Sequence, residues 1–476
     1  MSLLVGSPDL GQGERRSSQR ARHQIPLLGG LGRVSVAAAL SLVVVAFVLA
    51  SMANLVMIPP FVFRMIFALA AILAFTDQTA AVILLVCIPA LGVNWTHGQM
   101  SLPIASLAGE GRRLVIGSRE RLPRGISLLD GSIGLYTIAI FASVLTSVSQ
   151  RASFFNALGM LPLIAVYVFL SRAFTDDRTR RLAFISMACV GTYSGFIAIG
   201  QACFAHFPLG FQAISGSGLP FAATRATAFF DNPNTFGIML VLCVVVALEC
   251  AMKAGGLRGA LPWVIAIVVM TAGIELSYTR AAYVGLLLGV LILLGLRVRM
   301  TRRTAWILLF AITMVLASAV ATQASQRIMA TSASTRDPSS MDRIYLSLSS
   351  IKMFRDHPVL GVGIGAFALA YPGYRDSRVN VSPVTDPHQS AFSIPAETGV
   401  LGLLAECGVA AALIWAAVRV RRFASDGDAS VAGLAASGSF LAMSFLNTQQ
   451  YTYYFWIALA LAGATMLEQV ARKVRT

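Results

Sequence analysis

The sequence predicts an all-α polytopic membrane protein with about twelve transmembrane helices and one long, partly helical loop. Three observations predict it. Of 476 residues, 57% are hydrophobic and 12% charged, and mean hydropathy is +0.74. That is more apolar surface than a soluble chain of this length can bury. Second, apolar runs of about 20 residues, long enough to cross ~30 Å of hydrocarbon, recur along the chain. Third, arginines gather in alternate loops, as the positive-inside rule requires.

Taken in order, the clear runs cover roughly 126–148, 153–171, 182–204, 234–252, 258–276, 280–297, 304–322, 398–420, 430–446 and 451–470. The region 34–92 holds three more (34–52, 56–75, 78–92), but two basic flanks on one side require an even number. Two full spans are expected there, with the Pro59-Pro60 stretch or the short 78–92 run irregular. The other substantial stretches, 93–125 and 205–233, are expected outside the membrane.

Orientation follows from charge. If the tail bearing Arg472, Lys473 and Arg475 is cytoplasmic, the loops 419–428, 297–303, 253–260, 172–181 and 93–125 share its side and, with both tails, hold most of the 37 basic residues. The loop after 304–322 and the segment 205–233 then face outward. The expected organisation is a basic cytoplasmic tail (1–33), too long and arginine-rich for a cleavable signal, a membrane bundle (34–322), an external loop (323–397), C-terminal helices (398–470) and a short tail (471–476).

Several classes drop out. The net charge of +16 is explained by topology, so no nucleic-acid partner is expected. The six cysteines (Cys87, Cys189, Cys203, Cys243, Cys250, Cys407) lie in or beside apolar runs without metal-ligand spacing, and read as small core residues. "GVGIGAF" (361–367) follows no strand and lacks a Walker lysine, so it is expected to be a flexible turn. "DGD" (426–428) falls on the cytoplasmic side. No metal and no cofactor are expected.

Three features share the outward side: "TRATAFFDNPNTFG" (224–237), "SYTRAAY" (277–283) and "DPHQSAFSIPAETGVLG" (386–402). Arg225 and Arg280 flank outward turns, where basic residues are scarce. A guanidinium is always charged and presents a planar fork of donors matched to phosphate oxygens. The competing reading is a pair of arginines snorkelling from helix ends. A neutral histidine such as His388, with an ordinary pKa of about 6.5, suits removal of a proton from an attacking hydroxyl. The plainer reading is a structural loop residue.

His388-Gln389, nine residues, then Gly399-Val400-Leu401-Gly402 resembles the signature of the O-antigen ligase and O-antigen polymerase superfamily. The stretch "DRIYLSLSSIKMFRDHPVLGVGIGAF" (342–367) resembles its loop segment, and the two arginine-bearing stretches resemble its arginine positions, over about 180–420. The resemblance implies an inverting, metal-independent glycosyltransferase at the periplasmic face of the bacterial inner membrane. The donor would be an undecaprenyl-pyrophosphate-linked glycan, the acceptor a glycan or lipid A-core. His388 would be the catalytic base, and Arg225 and Arg280 would hold the pyrophosphate. Glu397 would orient His388 or cap the next helix. His357 would help or serve its Asp-His-Pro turn. Arg343 and Lys352 lie on an amphipathic loop helix with solvated or headgroup roles. Ligase and polymerase stay equally open.

Arg64, Glu249, Glu275 and Glu406 are expected to be buried or nearly so, which is costly unless they are paired or line a cavity; Glu275 is placed to neighbour Arg280. The reading from another class is a secondary transporter or glycolipid flippase. Such proteins show internal repeats, and none is found in this sequence.

Overall fold

The computed structural model describes residues 25–52, 60–91, 98–116, 125–204, 209, 214–215, 224–296, 302, 306, 309, 313, 338–379, 384, 386–423 and 430–475. Helices α1 (Ile25–Met52), α2 (Pro60–Thr76) and α3 (Gln78–Cys87) come first, then α4 (Gly98–Ile116), α5 (Leu128–Ser143), α6 (Gln150–Ala173) and α7 (Asp177–Cys203). They are followed by α8 (Pro233–Lys253), α9 (Leu257–Leu276), α10 (Arg280–Leu296), α11 (Pro338–Asp356), the single turn α12 (Phe367–Ala370), α13 (Ser390–Phe423), α14 (Ala432–Met443) and α15 (Tyr453–Arg475). Apart from a two-residue antiparallel pair, Ile214 with Arg225 and Ser215 with Thr224, the described elements are helical.

Local sequence sets the helix starts. Ser127 and Asp130 form a reciprocal capping box at α5, Asp176 accepts from Thr179 N–H at α7, and Asn232 caps α8 with Pro233 at its first position, each satisfying amide groups the helix leaves orphaned.

Among the described residues, five helices are long and apolar enough to cross a membrane: Gln150–Ala173, Asp177–Cys203, Pro233–Lys253, Leu257–Leu276 and Ser390–Arg422; six shorter apolar helices accompany them. In the 34–92 region the third run is the short one. α3 has ten residues, continues only into the 3₁₀ turn Ile88–Leu91, and rises ~15 Å at 1.5 Å per residue. The run predicted over 304–322 lies almost wholly outside the described residues.

Residues 98–116, within the stretch read as extramembrane, form helix α4, which packs against α2 and α6. A Cβ on Gly109 would come 2.5 Å from the Phe75 carbonyl oxygen, so the backbones touch there, and small residues rather than hydropathy drive the contact. Arg64, expected to be buried, is exposed on α2. The other intramembrane acids are provided for. Glu249 pairs with Lys253 at 2.7 Å and caps α14 through Val431 and Ala432 N–H. Glu406 lines a cleft with Tyr136, Gln449, Gln450 and Trp456.

The bundle has two polar ends. One carries the C-terminus of α15 and is laced by ion pairs from Arg172 to Asp130 and from Arg180 to Glu468. At the other end the connections are tied to one another. Ala226 N–H reaches Leu276 O, Thr279 Oγ1 reaches Pro233 O, Val148 N–H reaches Val362 O, and Ala391 N–H reaches Ser444 O.

A candidate active site at one end of the bundle

The site grows from the turn before α13. Asp386 Oδ1 accepts from its own turn, at 2.5 Å from His388 N and 2.9 Å from His388 Nδ1. Thr448 Oγ1 lies 3.2 Å from the same oxygen. This side-chain turn holds His388 at φ +57°, a left-handed backbone that costs a non-glycine residue roughly 1–2 kcal/mol. The imidazole remains 42% exposed, within reach of a substrate. Burial alone would lift the Asp386 carboxyl; its contacts with His388 and Thr448 outweigh that and hold it below the ordinary carboxylate value.

Gln389 is buried and accepts from Ser347 Oγ on α11. Ser390 Oγ receives Gln449 N–H, and Gln450 Nε2 donates to Ser393 Oγ at 2.7 Å. The turn 444–452 is thereby stitched to the first turns of α13.

The first signature glycine has a local cause. At Gly399 (φ 65°, ψ −156°) α13 breaks, a conformation open essentially to glycine alone. Val400 N–H turns to Pro358 O, while Ala396 and Glu397 carbonyls receive Val362 and Gly363 N–H. A Cβ at Gly399 would sit 2.3 Å from the Val359 backbone. The "GVGIGAF" segment is a strap that contains the expected turn, closed by Ala366 N–H to Gly363 O and held by neighbouring backbone. Its three glycines take positive φ, and a Cβ on each would meet Glu397, Ser147 or Asn156 at 2.4 Å or less.

Glu397 neither orients His388 nor caps the helix that follows it. Its carboxylate takes Phe367 N–H and Tyr451 Oη, each at 3.2 Å, capping α12 and pinning the strap to the 444–452 turn. His357 is exposed where α11 ends, its carbonyl accepting Gly361 N–H. Among the described residues no hydrogen bond joins it to His388.

The arginines cluster beside this turn. Arg225 donates through Nε to Ser277 O at 2.9 Å and through Nη2 to Asn234 Oδ1 at 2.8 Å and Thr279 Oγ1 at 3.4 Å, and so grips the 277–279 turn that leads directly to Arg280. Arg280 is exposed at the start of α10. One turn on, Tyr283 Oη lies 2.9 Å from Glu275 Oε2. Burial, then repulsion from neighbouring Arg343, pull Arg225 below the ordinary arginine value, and nearby Tyr283 acts the other way. Arg343 donates to Leu446 O at 2.8 Å, two residues from Thr448. A chain of direct contacts thus runs from Arg343 through the 446–448 turn to Asp386 and His388.

Of the sequence-predicted residues, His388 and Arg343 meet on one turn, Arg225 adjoins Arg343, and Arg280 stands on the turn that Arg225 holds. Asp386, Thr448 and Tyr283 were missed. "DPH" carried a signal for Asp386, since an Asp two residues before a His forms such turns.

Fold and site together define an all-helical membrane protein with a histidine–aspartate pair and several arginines at one end of its bundle. Residues 265–406 match the family model described as O-antigen ligase. The match bears out the resemblance to the O-antigen ligase and polymerase superfamily. That family implies a ligase- or glycosyltransferase-like enzyme working in a bacterial membrane on a lipid-linked glycan. The matched stretch holds Arg280, Arg343, Asp386 and His388; Arg225 lies outside it. A search of curated proteins gives no match.

Proposed function

We propose that the chain is an inverting, metal-independent glycosyltransferase that moves an undecaprenyl-pyrophosphate-linked glycan onto an acceptor hydroxyl at the periplasmic face of the inner membrane. The observation that carries this is the 2.9 Å contact between His388 Nδ1 and Asp386, beside the end of the bundle where Arg225, Arg280 and Arg343 gather.

With Nδ1–H donated to Asp386, the lone pair is on Nε2 of this partly exposed imidazole and takes the acceptor proton. The acceptor oxygen attacks the anomeric carbon as the carbon–oxygen bond to pyrophosphate breaks, and one displacement inverts that centre. The electron pair leaves with pyrophosphate, where fixed guanidinium charge in a partly dry site stabilises it. Arg225 and Arg280 bind the phosphates, and Arg343 adds charge beside Arg225. The proton returns from Nε2 to solvent or the released pyrophosphate. The outward placement rests on the arginines that crowd the opposite loops.

Ligase and polymerase variants share this chemistry and differ in the acceptor. The test is glycan analysis of a strain lacking the gene. Long chains retained on the lipid carrier indicate a ligase, and accumulated single repeat units a polymerase. Unaltered glycans, or carrier-linked units trapped on the cytoplasmic leaflet, contradict the proposal.

A further inference from the structure

Helix α11 has two faces that the site uses unequally. Asp342, Leu346, Ser349, Ser350 and Met353 are buried at helical spacing against the rest of the protein. On the opposite side Ile344, Leu348 and Ile351 are 51%, 41% and 42% exposed, with exposed Lys352 and Arg355 completing the stripe. A helix turned to water would show polar groups there. Large apolar residues at i, i+4 and i+7, with cations at one end, are the pattern of a helix lying in a lipid interface.

A second observation gives the level of this helix. Six residues past its end, Val362 O accepts Val148 N–H at 3.1 Å, and Ile364 N–H reaches Ser143 Oγ at 3.1 Å. These partners lie at the end of α5 and in the α5–α6 connection, where α6, long enough to cross the membrane, emerges. Leu145 and Val148 in that connection, and Val359 just beyond α11, are also exposed. The end of α11 is thus fastened where membrane helices leave the apolar layer. Exposed Lys352, Arg355 and Arg375 against one exposed acid, Asp356, make an anionic leaflet the complementary partner.

We infer that the Ile344–Leu348–Ile351 stripe of α11 beds into the headgroup layer of an anionic phospholipid leaflet. The same helix reaches the site from its other side, through Arg343 to Leu446 O and Ser347 to Gln389. Lipid contact therefore sets the height of His388 above the membrane. This consequence for catalysis rests on the transferase reading; the lipid contact does not.

The experiment uses the full chain in nanodiscs, with a photo-crosslinking benzoylphenylalanine at position 344, 348 or 351. Pro372 is the control, exposed in the turn that Ser349 holds through Tyr374 O, on the side away from the stripe. Phospholipid adducts are expected at all three stripe positions in discs rich in phosphatidylglycerol, at least several-fold above Pro372, and reduced in discs of phosphatidylcholine alone. Absence of adducts at the stripe, equal labelling at Pro372, or labelling by an added glycolipid acceptor alone overturns the inference. Adducts without glycan transfer would leave the lipid contact standing and count only against the transferase reading.

Discussion

At the end of the bundle that carries the C-terminus, Arg172 meets Asp130 at 2.8 Å, Lys253 meets Glu249 at 2.7 Å, and Arg180 lies between Asp177 and Glu468. At the opposite end the described partners of Arg225 are a carbonyl, an amide oxygen and a hydroxyl, with another arginine for a neighbour. The first arrangement neutralises charge and holds helices together. The second fixes a guanidinium in place without cancelling it, as a site awaiting an anion must. Backbone strain divides the same way. The three non-glycine residues with positive φ among those described are Ala228, Tyr278 and His388, on the segment after Arg225, the turn before Arg280 and the proposed base itself. Strain of this kind persists where surrounding contacts over-determine it, and it gathers at functional sites. On the proposed reading, one end of the molecule serves stability and the other binding.

Substitutions can break this contrast. The largest effect is expected from His388→Ala, which removes the proton acceptor: glycan transfer by purified protein should fall about 10²–10⁴-fold, with the amount of folded protein unchanged. Next, Arg225→Lys keeps the charge and loses the fork that grips the 277–279 turn; a fall of about 10²-fold is expected in a transfer assay at saturating acceptor. Asp386→Asn, which leaves the turn but removes the charge holding Nδ1–H, should cost about tenfold.

That same variant has a sign to check against pH. Because the folded Asp386 carboxyl lies below its ordinary value, its stabilising contribution is present above the unfolded carboxylate pKa of about 3.9 and is lost as pH falls through the lower folded value. The melting-temperature gap between wild type and Asp386→Asn should hold above about pH 5 and close below about pH 4.

At the other end, Arg172→Ala removes the charge partner of Asp130 and should lower the melting temperature by a few degrees, on the order of 3 kcal/mol at most, while turnover per folded molecule stays at the wild-type value. The smallest effect is expected from EDTA: transfer by purified protein should not change, and strict dependence on added Mg²⁺ or Mn²⁺ would contradict the proposed chemistry.

The fold was legible where physics is local. Apolar runs located α6 to α10, α14, α15 and the part of α13 beyond its break at Gly399 to within about five residues, because hydrocarbon thickness sets their length. Helix α4 was not, since Gly109 and Ser106 earn burial through close backbone contact rather than hydropathy. In the site, His388, Arg225 and Arg280 stood out by residue type in places where such residues are scarce. The partners of Glu397 did not, because Phe367 and Tyr451 lie 30 and 54 positions away in sequence and meet it only after Gly399 breaks the helix. Asp386 is a different lesson. It adjoins His388 closely enough to be read, but its role depends on a left-handed backbone at the histidine that composition does not announce.

The most direct test of the central claim is a structure of the protein with a lipid-pyrophosphate-linked glycan bound. The account predicts phosphate oxygens about 3 Å from the guanidinium groups of Arg225 and Arg280, with the anomeric carbon turned toward His388 Nε2. A pyrophosphate bound at the end that carries Arg172 and Arg180, or in contact with neither arginine, would contradict it.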